Sequence, residues 1–415
     1  MNTANHRLLR DINLSLVLQM IQEQAPISQR DLVQHTGLSP STVFTLINQL
    51  HASELLRECG YATSSGGRRP KLLEMNPEGG YFISVDLGGT KISIGVLDLV
   101  MHLRQQWVYP TPSEGGEGVF QKLMEIISDT CQYCESQAWK ILGIGICTSG
   151  IVDCLNGIVI EADNFGWHDF PLADRLKASL GFVPVIEHDT NAAAYAEFVY
   201  GAARGQSNVV YVSIGTGIGA GLILNGRLFT GSNDMAGEIG HITVHHDGPM
   251  CRCGKRGCLE AVASGPAIAR AYVQRRGEQV GVDWVDGKTV IALAEQKDAI
   301  SYEIVTDAGK MIGHTVGNLT NILNLDTIVI GGGVMAAGGV MFSAIKEGIQ
   351  SVLLPRMRDT PHISKASYGP SAGLVGIGAL SLARMFNAVS LSDVGGGHSG
   401  AWGSPAWQRQ HGCHS

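Results

Sequence analysis

The sequence predicts an α/β protein in two parts: a small N-terminal winged helix-turn-helix and, behind it, an internally duplicated body of two lobes. Three observations carry that prediction. The head shows three helix-spaced apolar stretches followed by a basic hairpin; the body repeats a strand, glycine turn and strand in residues 81–99 and again in residues 209–228; and a third glycine run ends another buried strand at residues 328–335.

The totals set the limits. At 415 residues the chain exceeds what one hydrophobic core usually serves, so two or three domains are expected. With 44% hydrophobic residues, 16% charged and 54 glycines, the composition excludes a fibrous or disordered chain and fits a soluble α/β protein with many tight turns. No run approaches the ~20 apolar residues that span a bilayer. The opening "MNTANHRLLRDINLSL" has Asp and Asn within its apolar stretch and no small-residue cleavage site, so it does not read as a signal peptide. A cytoplasmic protein with no membrane partner is expected.

The formal net charge of −7 argues against binding nucleic acid with the whole surface. Residues 1–80 carry seven Lys/Arg and seven Asp/Glu, so the negative excess lies in the remainder. Nine cysteines in a cytosolic chain point to thiols or metal ligands rather than disulfides. Cys131 and Cys134 form a C-x-x-C pair within one amphipathic helical pattern that lacks a glycine turn, so they read as core thiols.

In the head, Leu9, Ile12, Leu16 and Met20 recur at helical spacing and predict a first helix. Ser28 is the expected N-cap of a second, and Ser39-Pro40 supplies N-cap and first position of a third. Along the third, Val43, Leu46, Ile47 and Leu50 form the inward stripe, while Ser41, Thr42, Thr45, Asn48 and Gln49 form the opposite one. Short hydrogen-bonding side chains suit the major groove, where base edges present donors and acceptors at close range. Two strand-like runs, "LLRECGY" and "RPKLLEM", then make a wing whose Arg68, Arg69 and Lys71 are placed to neutralise phosphates or enter a minor groove. Double-stranded operator DNA is the expected partner.

The boundary falls near "MNPEGG", residues 75–80, where Pro and Gly break the strand, so we place the head at 1–78 and the body at 79–386. In "YFISVDLGGTKISIGVLDL" an apolar strand ends in Asp86; Gly88, Gly89 and Thr90 form a turn that lets backbone approach a phosphate, and Asp86 is placed to orient a hydrated Mg²⁺. The second instance places Gly215, Thr216 and Gly217 in the turn, and the third run offers Gly331, Gly332 and Gly333, where an adenosine could lie. One such turn marks little; two such hairpins suggest an internally duplicated fold that clamps a nucleotide between two lobes, and the three together are specific, with Mg²⁺ and ATP as candidate cofactors. In "GEIGHITVHHDGPMCRCGKRGCLEAVAS", Cys251, Cys253 and Cys258 with one upstream histidine form a set suited to closed, structural Zn²⁺. His241 is the favoured fourth ligand; His245 and His246 remain competitors.

The motifs "DLGGTK", "HDTNAAAYAE", "IGTGIGAG", "GEIGH", "CRCGKRGCLE" and "IVIGGGV", in that order, resemble the ROK (repressor, open reading frame, kinase) family over about residues 79–385. With the winged head, the match is to that family's transcriptional regulators. The resemblance implies an actin-like, sugar-kinase (ribonuclease H-like, duplicated) fold whose lobes close over a sugar. It makes Asp189 the counterpart of a catalytic base and Glu238, His241 and Glu260 sugar contacts, with Gly150, Asn164 and His188 completing the pocket and His241 doubling as a zinc ligand. His188 departs from the family's kinases, which usually have Asn there; an imidazole changes which hydroxyl is held.

The expected function is a sugar-responsive DNA-binding regulator, a repressor of carbohydrate uptake or catabolism genes, acting as a homodimer or homotetramer. The alternative is an ATP-dependent hexose-type kinase with an added head, or a protein that does both. Residues 387–415, rich in Gly and Ser without a period, read as a disordered tail.

Overall fold

A computed structural model of the chain describes residues 2–63, 69–277, 285–335 and 338–391. The head opens with α1 (Asn2–Gln24). Its burial departs from the expected stripe: Leu9 and Ile12 are exposed, and Val17, Leu18 and Ile21 are the buried residues. Among the residues of α1 whose burial is described, the buried ones fall in its second half.

After β1 (Ile27–Ser28), α2 (Gln29–Thr36) starts in a capping box between Ser28 and Asp31 and stops at Gly37 in the left-handed conformation. In α3 (Pro40–Ala52), Ser39 is the N-cap, Pro40 the first residue, and Val43, Leu46, Ile47 and Leu50 are buried. Strands β2 (Leu56–Tyr61) and β3 (Lys71–Met75) pair antiparallel, with β1 on the other side of β3, and form the wing. The tip, with Arg68, lies outside the described residues.

The first half of the body lays down β4 (Tyr81–Leu87), β5 (Lys91–Asp98) and β6 (Leu103–Pro110) as an antiparallel meander. Helix α4 (Gly116–Ser136) leads to β7 (Ile141–Thr148), which joins β4 in parallel. A small sheet of β8 (Ile151–Asp153), β9 (Ile158–Ala162) and β10 (Trp167–Phe170) precedes α5 (Leu172–Leu180) and β11 (Val185–His188), which joins β7 in parallel. The resulting order is β11-β7-β4-β5-β6. Cys131 and Cys134 both lie buried on α4, where desolvation pushes their thiols up to about 12 and about 11.

Helix α6 (Asp189–Val199) leads to the second half. Here β12 (Val209–Ile214), β13 (Ile218–Leu224) and β14 (Arg227–Phe229) repeat the meander. Four helices follow, α7 (Leu259–Ala263), α8 (Gly265–Arg276), α9 (Gly287–Glu295) and α10 (Ala299–Leu323). Strand β15 (Thr327–Gly331) then pairs in parallel with β12, and after α11 (Gly339–Val352) β16 (His362–Lys365) pairs in parallel with β15. The order β14-β13-β12-β15-β16 is that of the first half, strand for strand, so the duplication read from the glycine turns is a duplication of whole sheets. Continuous apolar strands such as β15, buried at all five positions, are what a sheet covered on both faces requires.

Packing divides the chain into two compact units, one of residues 1–189 with the chain from 377 on, the other of residues 190–376. The head therefore packs in one unit with the first half of the body. Its α1 is tied by the Ser15 hydroxyl, which donates to the Phe386 carbonyl at 2.6 Å. Phe386 belongs to α12 (Ala372–Leu391), which runs through the start of the expected tail; residues 392–415 lie outside the described residues. Among the described residues no helix is long and apolar enough to cross a membrane.

Candidate functional site

In the first unit the expected phosphate turn joins β4 to β5. Gly88 N–H donates to Lys91 O at 3.0 Å, the Thr111 hydroxyl donates to Gly88 O at 2.7 Å, and Thr111 N–H donates to Thr90 O at 3.1 Å. A Cβ on Gly89 would stand 2.9 Å from Asn164 Nδ2, so this turn and one expected sugar contact share a surface. Gly150 takes a positive φ of 101° against the Glu161 carbonyl, a conformation that disfavours a side chain.

Strand β4 runs one residue past Asp86, to Leu87, and Asp86 lies in register with Cys147 of β7. Burial first, and then the nearby charge of Asp189, raise its carboxyl to about 7, against a hydrogen bond from Cys147 that lowers it. The Cys147 thiol itself is pushed well up by burial. His188 closes β11 and Asp189 opens α6, with His188 Nδ1 3.6 Å from Asp189 Oδ1. The His188 N–H donates to Glu187 Oε1 at 2.9 Å.

In the second unit the turn Gly215-Thr216-Gly217 joins β12 to β13, closed by Gly215 N–H donating to Gly217 O at 2.9 Å. The third glycine run lies beside it: Val334 N–H donates to Ile214 O at 3.0 Å, and a Cβ on Gly215 would stand 4.0 Å from Gly333 N. Lys288 of α9, which the sequence did not single out, brings Cε to 3.8 Å from the Cβ position of Gly333.

The segment Gly237-Glu238-Ile239-Gly240-His241 lies hard against β13. Ala220 N–H donates to Gly237 O at 2.9 Å, and a Cβ on Gly240 would stand 2.0 Å from Ile218 O. No larger residue fits there, and that close approach fixes Glu238 and His241. His241 Nε2 is 3.7 Å from Glu238 Oε2, while its Nδ1 faces Cys251 Sγ at 3.6 Å.

His241, Cys251, Cys253 and Cys258 bring one donor atom each to within 4.8 Å of one another, with Cys253 Sγ 3.6 Å from Cys258 Sγ. Tetrahedral zinc with ~2.3 Å bonds to sulfur sets neighbouring sulfurs about 3.8 Å apart, so the set fits such an ion. The Lys255 backbone N–H, above all, lowers the Cys253 thiol, whereas desolvation pushes Cys258 up to about 12. His245 and His246 are exposed and fall outside this group.

The loop also delivers a residue that sequence reasoning missed. Arg252, between two of the cysteines, places Nε 3.1 Å from Glu260 Oε1 and donates from its terminal nitrogen to Oε2 at 3.4 Å. Glu260 Oε2 also accepts Ile218 N–H, just beyond the second glycine turn, at 3.2 Å. One mostly buried carboxylate thus joins the cysteine loop, the expected sugar contacts and a phosphate-type turn. Its only signal in the sequence was an arginine inside the C-x-C pair.

On α3 much of the polar stripe is occupied. The Ser39 hydroxyl lies 2.9 Å from that of Ser41 and 2.8 Å from that of Thr42, the Thr45 hydroxyl donates to Ser41 O at 2.9 Å, and Arg10 donates to Gln49 Oε1. Asn48 is exposed, and so, at 55%, is Phe44. On the wing Lys71 pairs with Glu58 at 2.7 Å while Arg69 stands exposed.

A winged helix-turn-helix on a duplicated five-stranded body defines a DNA-binding head carried by a sugar-kinase-type fold. The chain belongs to the ROK family, whose model matches residues 82–384. A winged helix-turn-helix DNA-binding model matches residues 10–57. The chain is 30% identical over 391 residues to the xylose repressor of Bacillus spizizenii, covering 94% of this chain and all of that one. It is 34% identical over 311 residues to the glucokinase of Halalkalibacterium halodurans, covering 72% of this chain and 94% of that one. Among solved structures, a ROK family transcriptional regulator described as a homologue of the Escherichia coli Mlc protein matches with a TM-score of 0.82 at 26% identity, over 92% of this chain and 98% of that one. A Streptomyces griseus ROK glucokinase, solved with glucose and AMPPNP, matches with a TM-score of 0.64 at 31% identity, over 72% and 99%.

Proposed function

We propose that the protein is a sugar-responsive, DNA-binding transcriptional regulator, a repressor of genes for carbohydrate uptake or catabolism. The observation that carries this reading is the combination, in one chain, of a winged head with a ROK body, matched end to end by a repressor at 94% coverage. Two heads in a homodimer or homotetramer would read two operator half-sites, and sugar binding would change their spacing or release them. Such coupling requires the sugar to bind the two states with different affinity.

By the family resemblance, this reading assigns sugar contacts to Gly150, Asn164, His188, Asp189, Glu238, His241 and Glu260. Fixed acceptors and donors of this kind suit a ring of hydroxyls. The four-residue Cys/His set is assigned to zinc, which when bound would supply structure only, since three thiolates and an imidazole leave no open position. Arg252 holds Glu260 oriented, and the close seat of Gly240 holds Glu238 and His241.

A second reading, an ATP-dependent sugar kinase with a head, is favoured by one observation. Asp86, Asp189 and all three glycine runs are present, with two of the runs side by side. In that reading Asp189 takes the proton from the attacking sugar hydroxyl, and Asp86 would serve Mg²⁺ with ATP.

The test is fluorescence anisotropy of DNA from the chain's own upstream region, titrated with protein against a panel of sugars, with and without Mg-ATP, while ADP is followed. We expect binding that one sugar abolishes without ADP formation. A protein that ignores that DNA with and without every sugar overturns the regulator; ADP formed with the same sugar establishes the kinase.

A further inference from the structure

We infer that Phe44 and Asn48 are the base-reading pair of the head, and that each operator half-site carries a thymine whose 5-methyl group meets Phe44 and an adenine met by Asn48, about two base-pair steps apart. The inference rests on the DNA-binding reading above and specifies what that head recognises.

The argument starts from what α3 has left to offer. Ser41, Thr42 and Thr45 are engaged with the helix's own N-cap and backbone, and Gln49 with Arg10. Turning any of them to a base would cost a bond already made. Asn48 is exposed and has no side-chain partner among the described residues, and Phe44 holds a large apolar ring 55% in solvent. Residues four apart share one helix face, so the two project together.

An exposed aromatic ring has two common destinations, a protein surface or a nucleic acid. Its exposed neighbours on this face are Pro40, Ser41, Thr45 and Asn48, three of them polar, which is not the broad apolar surround, among the described residues of this helix, that marks a protein-docking site. The major groove, by contrast, presents one apolar group, the thymine methyl, among donors and acceptors, and phenylalanine meets it well; asparagine binds adenine N6 and N7 with two hydrogen bonds. Four residues of helix rise about 6 Å and base pairs repeat about every 3.4 Å, which gives the spacing. Arg69, exposed on the wing, would add no sequence information through a contact to phosphate.

The experiment uses the full-length protein and the operator located by footprinting within its upstream fragment. Thymines are replaced one at a time by deoxyuridine, which removes only the methyl, and adenines by 7-deazaadenine, which removes one acceptor. We expect one deoxyuridine per half-site to weaken wild-type binding about three- to fivefold, the worth of a buried methyl, and to have no effect on Phe44→Ser. One deazaadenine about two positions away should weaken the wild type and leave Asn48→Ala unmoved. Phe44→Leu, which keeps an apolar side chain, should retain most of the thymine preference and guards against a folding defect in Phe44→Ser. Equal sensitivity of wild type and Phe44→Ser to every deoxyuridine, with DNA binding intact, overturns the inference alone. Absence of any operator binding by the wild type instead sinks the regulator reading.

Discussion

Asp86 is a carboxylic acid whose ionisation the fold opposes. Its carboxyl is raised from 3.8 to about 7 by burial and by Asp189, so the folded chain holds this proton more tightly than the unfolded one. Below about pH 4 both states are protonated and the group contributes nothing to the pH dependence. As pH rises from there through 7, the unfolded chain ionises first and stability falls. Asp86→Asn should therefore match the wild type near pH 4 and exceed it at pH 8, on the order of 1–3 kcal/mol once partial exposure is discounted. Urea midpoints at pH 4, 6 and 8 in magnesium-free buffer decide it, and a wild-type curve parallel to the variant's would refute the assignment. Arg252 makes the second claim at this scale. Removing its guanidinium leaves the mostly buried Glu260 with less compensation, so Arg252→Ala should weaken sugar binding about tenfold by calorimetry while metal content stays unchanged.

The cysteine loop and the segment before it act as elements, each held by backbone fit. Cys253→Ser should abolish bound zinc, measured by elemental analysis against about one ion per wild-type chain; an unchanged content would mean the ligands lie elsewhere. Gly240→Ala places a methyl into the Ile218 carbonyl and should lower both Tm and metal content. The sequence made the cysteines legible because three cysteines in eight residues are close along the chain before any folding occurs. It made the caps of α2 and α3 legible for the same local reason. What it hid depends on side-chain direction. The link from Arg252 to Glu260 follows from the path of the loop. The polar stripe of α3 looked uniformly available because no pattern tells a hydroxyl turned to DNA from one spent on its own helix. Phe44 was passed over because apolar residues were sought on the inward face. On α1 the helical spacing of Leu9 and Ile12 signalled the helix, but not that both residues lie exposed.

For the whole molecule, the repeat was visible through its glycine turns, and the matching order of the two five-stranded sheets gives it a structural basis. The grouping of the head with the first half of the body was not visible, since it depends on contacts between distant segments. Ser15 and Phe386 stand 371 positions apart and still share a hydrogen bond. Ser15→Ala should loosen that attachment by about 1 kcal/mol. Faster hydrogen exchange in α1 with the body unchanged is the expected result, and unchanged exchange would show that the bond restrains nothing. The same contact has a consequence for how the protein is made. The head is synthesised well before the carbonyl that anchors it, which lies 371 positions further along the chain. A prematurely terminated chain therefore carries a reading helix without its mooring, and only a chain translated through Phe386 presents the head as it is held here.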